Sequence, residues 1–143
     1  MPMTTRETDL ARLLQRFFLE RLVQQQRLSA CTVASYRDTF RLLLGFAEQR
    51  LQRAVATLCL RDLDAPLVLA FLNYLETERR NGIRTRNVRL AAIRTFLHYA
   101  ALQEPAALMQ IQQMLAIPMK RFERPLVGFL SQAEVEAILA APD

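Results

Sequence analysis

The sequence has few of the residues that tight turns and many-stranded folds require. Only three of its 143 residues are glycine, and it has no tryptophan. Glycine makes up roughly 7% of an average protein, so this supply leaves little material for the turns of a β-rich fold. The hydrophobic share is 52%, which allows a chain of this length to bury a core. These features favour an all-helical domain.

The residues of common catalytic and metal sites are also scarce. The single histidine, His98, excludes a histidine-rich metal site and a serine–histidine–aspartate set with a histidine to spare. The three glycines are too scattered to cradle a phosphate. We therefore expect a binding unit with no catalytic residue, no metal, no cofactor and no small-molecule substrate.

Cysteine usage and the ends of the chain bear on the compartment. Cys31 and Cys59 lack Cys-x-x-Cys spacing and each sits among apolar neighbours, so we expect free, buried thiols in a reducing cytosol. The first ten residues lack an apolar signal core, and the longest uncharged run, 105–119, is short. The sequence thus predicts a cytoplasmic protein without a membrane partner.

Apolar residues recur at helical spacing in five segments, which predicts a compact, orthogonally packed all-α bundle of four to five helices. Ser29, Asp64 and Thr85 are the expected N-caps of the second, third and fourth helices, and Asp9 is able to cap the first. The predicted helices run from Asp9 to about Gln26, from 30 over about twenty residues, from Pro66 to about Arg80, from Thr85 to about Gln103, and from Pro105 to about Ala116. A linker follows over 119–129, and Ser131 with Glu134 forms a capping box that opens a further short helix.

The basic residues are unusual in type and in position. There are 19 of them against 14 acids, and only Lys120 is lysine. The arginine fork fits phosphates and guanine edges, although a GC-rich genome also replaces lysine with arginine. Six arginines lie between Arg79 and Arg94 with no acid among them: Arg79, Arg80, Arg84, Arg86, Arg89 and Arg94. A nucleic-acid-binding face, if present, is expected to centre there.

A helical wheel of the fourth helix separates a core side from a polar strip. The core side holds Leu90, Ile93, Phe96, Leu97 and Ala100. The strip holds Asn87, Ala91, Arg94, Thr95 and His98. This strip resembles a helix laid into a DNA major groove, where asparagine reads adenine and arginine reads guanine; the alternative is an ordinary solvated face. The wheel predicts an exposed Arg94 that contributes little to stability, whereas Arg86 and Arg89 reach sideways, to phosphates or to an acid.

The order of three motifs resembles the N-terminal half of a tyrosine recombinase of the phage integrase family. The motifs are LSACTVASYRDTFRLLLGFAE, RTRNVRLAAIRTFLHYA and RPLVGFLSQAEVEAIL. The resemblance implies a SAM-like core-binding domain that forms one half of a clamp around double-stranded DNA. It implies DNA contacts from the second and fourth helices and from a basic linker, at Thr32, Ser35, Arg84, Thr85, Asn87, Arg89, Arg94, Thr95, Lys120 and Arg121. Arg86 joins this set from its place on the flank of the fourth helix.

The resemblance also implies a division of the chain and a set of partners. We expect a flexible tail over 1–8, the core-binding domain over 9–118, and a linker with the first helix of a catalytic domain over 119–143. The family's catalytic residues fall beyond the end of the sequence, so a fragment of a longer recombinase, or a short non-cleaving paralogue, is expected. Other protomers would contact the first and fifth helices. Two alternatives stay open, a helical protein-interaction adaptor and a non-catalytic DNA-binding regulator.

Overall fold

The computed structural model describes residues 8–23 and 29–121, and within them the fold is all-α. No strand occurs in these two ranges, which confirms the fold class expected from the sequence. The helices are α1 (Leu10–Phe17, continued as a π-helix over Phe18–Val23), α2 (Ala30–Leu51), α3 (Ala65–Thr77), α4 (Ile83–Gln103) and α5 (Leu108–Leu115). One-turn 3-10 helices occupy Val55–Thr57, Leu60–Asp62 and Pro105–Ala107.

Side-chain caps fix the starts of the first three helices. The backbone N–H of Arg12 donates to Asp9 Oδ1 at 3.3 Å, and that of Thr32 donates to Ser29 Oγ at 3.1 Å. The Leu67 N–H donates to Asp64 Oδ1 at 2.9 Å. Each bond satisfies an N–H group that has no partner inside its helix, as expected of a cap. The three caps read from the sequence are thus confirmed.

The turn between α3 and α4 corrects two predicted boundaries. α3 ends at Thr77 rather than near Arg80, and α4 begins at Ile83 with Gly82 as its N-cap rather than at Thr85. Arg80 adopts a left-handed φ of 54°, which reverses the chain so that the Asn81 N–H donates to the Leu75 carbonyl at 2.9 Å. A threonine side chain makes a stronger N-cap than glycine, but glycine is also common at N-cap positions.

The core is built around α4, which contacts α1, α2, α3 and α5. The predicted core side of α4 is confirmed, because Leu90, Ile93, Phe96, Leu97 and Ala100 are all fully buried. Phe17 of α1 is the centre of an aromatic cluster, with its ring centroid 5.4 Å from those of Phe96 and Tyr99 and 6.2 Å from that of Phe40. These contacts join α1, α2 and α4 in one core.

The irregular segment between α2 and α3 holds the start of α1. Leu10 N–H donates to the Leu58 carbonyl at 3.1 Å, and Leu60 N–H donates to the Thr8 carbonyl at 2.8 Å. Leu58, Leu60 and Leu63 are buried. A segment whose regular structure is limited to two one-turn 3-10 helices thereby contributes to the core.

Two expectations from the sequence are wrong or fall elsewhere. Neither cysteine forms a disulfide, but the expected burial is wrong: Cys31 is exposed on the first turn of α2, and Cys59 is half-buried with its thiol 3.8 Å from the Thr57 carbonyl. The end of the first helix near Gln26 and the capping box at Ser131 lie outside the described residues. The domain boundaries at 8/9 and 118/119 stay predictions.

Candidate nucleic-acid interface

The outward face of α4 is a single stripe at helical spacing. Arg84, Val88 and His98 are exposed on it, and Ala91 and Thr95 are half-buried between them. Leu102, 67% exposed, ends the stripe. Compared with the strip expected from the wheel, the stripe keeps Ala91, Thr95 and His98 and loses the other two residues.

Arg94 and Asn87 are the two residues that the wheel misplaced. Arg94 Nη2 donates to the Leu115 carbonyl at 2.8 Å, so its half-buried side chain reaches sideways to the end of α5. Asn87 binds the backbone of Lys120 with both ends of its amide, at 2.8 and 2.9 Å. A wheel cannot foresee these contacts because it shows one helix without its neighbours.

The first turns of α2 lie beside the N-terminal half of α4. Arg89 Nη1 donates to the Ser35 carbonyl at 3.2 Å and to Thr39 Oγ1 at 3.0 Å. Tyr36 Oη lies 3.4 Å from Thr95 Oγ1. The structure therefore brings Ser35, one of the two predicted α2 residues, next to α4. Arg89 joins the two helices itself, through a carbonyl and a hydroxyl rather than through an acid.

An exposed basic cluster surrounds the start of α4. It consists of Arg79, Arg80 and Arg84, all exposed, together with half-buried Thr85 in the first turn. Gly82 provides no side-chain cap, so the first N–H groups of α4 add partial positive charge at the same place. Arg79 and Arg80 belong to the acid-free run but were not predicted to be contact residues. The sequence feature that could have indicated their exposure is the Asn-Gly turn that follows them.

The predicted linker residue Lys120 is paired with an acid. Its Nζ donates to both carboxylate oxygens of Glu76 at 2.9 Å, and the same carboxylate lies 3.7 Å from Arg86 Nε. Arg86 is only 5% exposed, while Arg121 is exposed. Glu76 thus balances two of the predicted DNA-binding cations, a role that no motif in the sequence indicated.

On α2, the one acid near the predicted contact residues is already paired. Asp38 Oδ1 lies 3.6 Å from Arg41 Nη1, and both side chains are exposed. Thr32 accepts a hydrogen bond from the Ser29 hydroxyl at 3.0 Å and is half-buried, as is Ser35. The surface formed by the start of α4 and the first turns of α2 is therefore basic and lined by small polar groups.

Residues 15–104 match the family described as phage integrase, N-terminal SAM-like domain. The chain belongs to this family. The matched range covers all of α2, α3 and α4, so the basic cluster and the α4 stripe both lie inside the SAM-like domain.

Relatives of the SAM-like domain carry recombinase names. The chain is 52% identical over 139 residues to a Sinorhizobium fredii protein that carries the name integrase/recombinase y4rC, covering 97% of the chain and 42% of that protein. It is 30% identical over 128 residues to tyrosine recombinase XerD of Pseudomonas putida, covering 88% of the chain and 39% of that protein. The chain therefore spans less than half the length of these relatives. No solved structure matches it.

The described ranges contain neither a candidate metal site nor a helix that could span a membrane. No group of three or more histidine, cysteine, aspartate or glutamate side chains in residues 8–23 and 29–121 is arranged to hold a metal ion. In the same ranges no helix is both long and apolar enough to cross a membrane.

Proposed function

We propose that this SAM-like domain binds double-stranded DNA as the core-binding unit of a site-specific tyrosine recombinase acting in integration, excision or transposition. The observation that carries the proposal is the exposed basic cluster at the start of α4. No acid occurs between Arg79 and Arg94, and the small polar first turns of α2 lie alongside. Cations beside a helix N-terminus suit phosphate groups.

The α4 stripe suits insertion into a major groove. Val88 and Ala91 are small enough to let the helix backbone come close to base edges, and Thr95 and His98 offer polar atoms further along. Arg84, Thr85, Thr32 and Ser35 would contact phosphates at one edge of this surface. The linker residue Arg121 would add a contact along the duplex, whereas Lys120 is held by Glu76.

Five residues in the predicted contact set are already held by partners inside the domain. Arg86, Asn87, Arg89, Arg94 and Lys120 all donate to acceptors there. Each would give up a partner in order to reach a base or a phosphate, which costs free energy when the partner is buried. We therefore leave them out of the proposed interface.

Strand cleavage belongs, in this proposal, to the part of the recombinase that follows the SAM-like domain. Contacts with other protomers would use the region where α4 ends and α5 begins. The exposed apolar side chains of Leu102, Leu108 and Met109 lie there, and exposed apolar groups near one another are typical of protein contacts. A SAM-like domain of this kind would bind DNA and position protomers without cutting.

The salt dependence of DNA binding tests the proposal. Three exposed arginines with Arg121 allow three to four phosphate contacts, which predicts a slope of log affinity against log salt of about −2.7 to −3.6. Between 50 and 200 mM salt this slope corresponds to a loss of roughly 40- to 150-fold, less than the roughly thousandfold or larger loss that six contacts would give. Anisotropy of a labelled duplex measures it.

Matched substitutions locate the interface. Arg79→Gln and Arg84→Gln should each weaken binding and reduce the slope by about one unit. Arg12→Gln, an exposed arginine on α1, should change neither quantity. Equal effects at all three positions would refute the assignment of the interface to the start of α4.

A helical adaptor is the second candidate, and the exposed Leu102, Leu108 and Met109 favour it. An adaptor would be retained by a protein partner through these side chains. It would show a flat salt response in the DNA assay, so one titration separates the two functions.

A further inference from the structure

The residues after α5 are held on the domain by an asparagine whose amide pairs with the backbone N–H and carbonyl of one residue, Lys120. Asn87 Oδ1 accepts from the Lys120 N–H at 2.9 Å, and Asn87 Nδ2 donates to the Lys120 carbonyl at 2.8 Å. This is the donor and acceptor pattern that a neighbouring strand would present to Lys120. Asparagine offers both groups at once, whereas aspartate offers only acceptors.

A second set of contacts secures the same segment through its neighbours. Glu76 binds Lys120 Nζ with both carboxylate oxygens, and Arg86 Nη1 donates to the Pro118 carbonyl at 3.4 Å. Arg86 and Glu76 also form an ion pair. Arg86 is 5% exposed and Glu76 is half-buried, so water reaches this ion pair far less than it reaches a surface ion pair. Ile117, 5% exposed, anchors the segment in the core on its other side.

These contacts are more than a loose tether requires. A buried arginine is costly unless it is paired and hydrogen-bonded. Arg86 Nη1 donates to Asn87 Oδ1 and to the Pro118 carbonyl, while its buried Nε has no hydrogen-bond partner and lies 3.7 Å from Glu76 Oε1. These bonds join the first turns of α4 to residues that lie 32 and 33 positions further along the sequence.

We propose that Asn87, with Glu76 and Arg86, is a positioning site that holds residues 118–120 against α4 and fixes the point at which the rest of the chain leaves the domain. The inference deepens the proposed function and rests on it in one respect. In a recombinase, a fixed point of departure sets where the part that follows is placed relative to bound DNA. Asn87 is then a positioning residue and not a reader of bases.

Limited digestion of the 143-residue chain with trypsin tests this positioning site. Trypsin must take the Lys120 side chain into its pocket and the flanking backbone into its cleft, and the contacts with Glu76 and Asn87 occupy both. Cleavage after Lys120 and Arg121 should therefore be slow. Cleavage after Arg80, in the exposed turn between α3 and α4, is the internal reference for trypsin activity, and cleavage after Arg41, in the middle of α2, reports opening of the domain. Mass spectrometry of timed samples gives the rate at each bond.

Asn87→Ala should raise the rates after Lys120 and Arg121 tenfold or more and leave the rate after Arg80 unchanged. Gln112→Ala, an exposed amide on α5, is the matched control and should change none of them. Rapid cleavage after Lys120 in the unsubstituted chain, or unchanged rates in a folded Asn87→Ala variant, would overturn the proposal.

A second variant covers loss of folding. If Asn87→Ala unfolds the domain, cleavage after Arg41, inside α2, rises in parallel, and Asn87→Asp decides the matter. Aspartate keeps the acceptor for the Lys120 N–H and loses the donor to the Lys120 carbonyl. Selectively faster cleavage after Lys120 therefore supports the positioning site, and unchanged cleavage overturns it. The digest contains no DNA, so its result stands apart from the success or failure of the proposed DNA binding.

Discussion

Replacing Arg94 with alanine should lower the stability of the domain, although the helical wheel places this residue on the solvent side. Its guanidinium donates to the Leu115 carbonyl at 2.8 Å, in the last turn of α5. Carbonyls in a last helical turn lack partners inside the helix, and a cation there also interacts favourably with the helix dipole. Arg94 therefore attaches the end of α5 to the middle of α4.

The size of the effect follows from that single contact. A hydrogen bond to a charged group contributes about 1.5–3 kcal/mol, and partial exposure of Arg94 reduces the expected loss to about 1–2 kcal/mol. For a domain of this size, that loss corresponds to a fall in Tm of roughly 3–10 °C. The sequence alone predicts a change within about half a kcal/mol.

Urea unfolding followed by circular dichroism measures the difference. His98→Ala, an exposed position one turn further along α4, is the matched control and should stay within about half a kcal/mol of the unsubstituted chain. Arg94→Lys should recover part of the loss, because lysine retains the charge but not the fork. An Arg94→Ala variant as stable as the His98→Ala variant would refute the reasoning.

Three further outcomes are expected, each measurable by urea or thermal unfolding. Phe17→Ala should cost about 3–5 kcal/mol, because Phe17 is fully buried at the centre of the aromatic cluster. Gln52→Gly should stabilise the domain by roughly 0.5–1 kcal/mol, because Gln52 ends α2 in a left-handed conformation that glycine adopts without strain. Burial, with the hydrogen bond to Glu20, raises the pKa of the Tyr99 hydroxyl above 10.0. Its contribution is therefore present below pH 10 and lost as the pH rises further, so Tyr99→Phe should flatten the alkaline fall in stability.

The sequence predicted what depends on one helix at a time. Helical periodicity and the caps Asp9, Ser29 and Asp64 placed the starts of three helices, and the core side of α4 was correct at every residue. The start of α4 was wrong because Arg80 adopts the left-handed conformation, which the sequence favours at Asn81 or Gly82 instead. That choice depends on how α3 and α4 pack, and no local pattern reports it.

For the candidate site, too, the sequence predicted features of single helices and missed contacts between helices. The sequence located the basic region, the polar start of α2 and the stripe residues Ala91, Thr95 and His98. It could not foresee Glu76 between Lys120 and Arg86, because those side chains meet only when α3, α4 and the segment after α5 come together. It also could not assign Asn87, whose amide suits adenine and a peptide group equally well.

The six arginines between Arg79 and Arg94 form two groups that a charge count cannot separate. Three are exposed around the start of α4, and three donate to acceptors within the domain, namely Arg86, Arg89 and Arg94. Arginine suits both tasks, because its fork binds carbonyl oxygens as readily as phosphates. A guanidinium that already holds two helices together must break that contact to reach a phosphate. Because its side chains are exposed, the first group is expected to carry salt-dependent binding and the second to carry stability, so under the proposed function the acid-free run would serve packing as much as recognition.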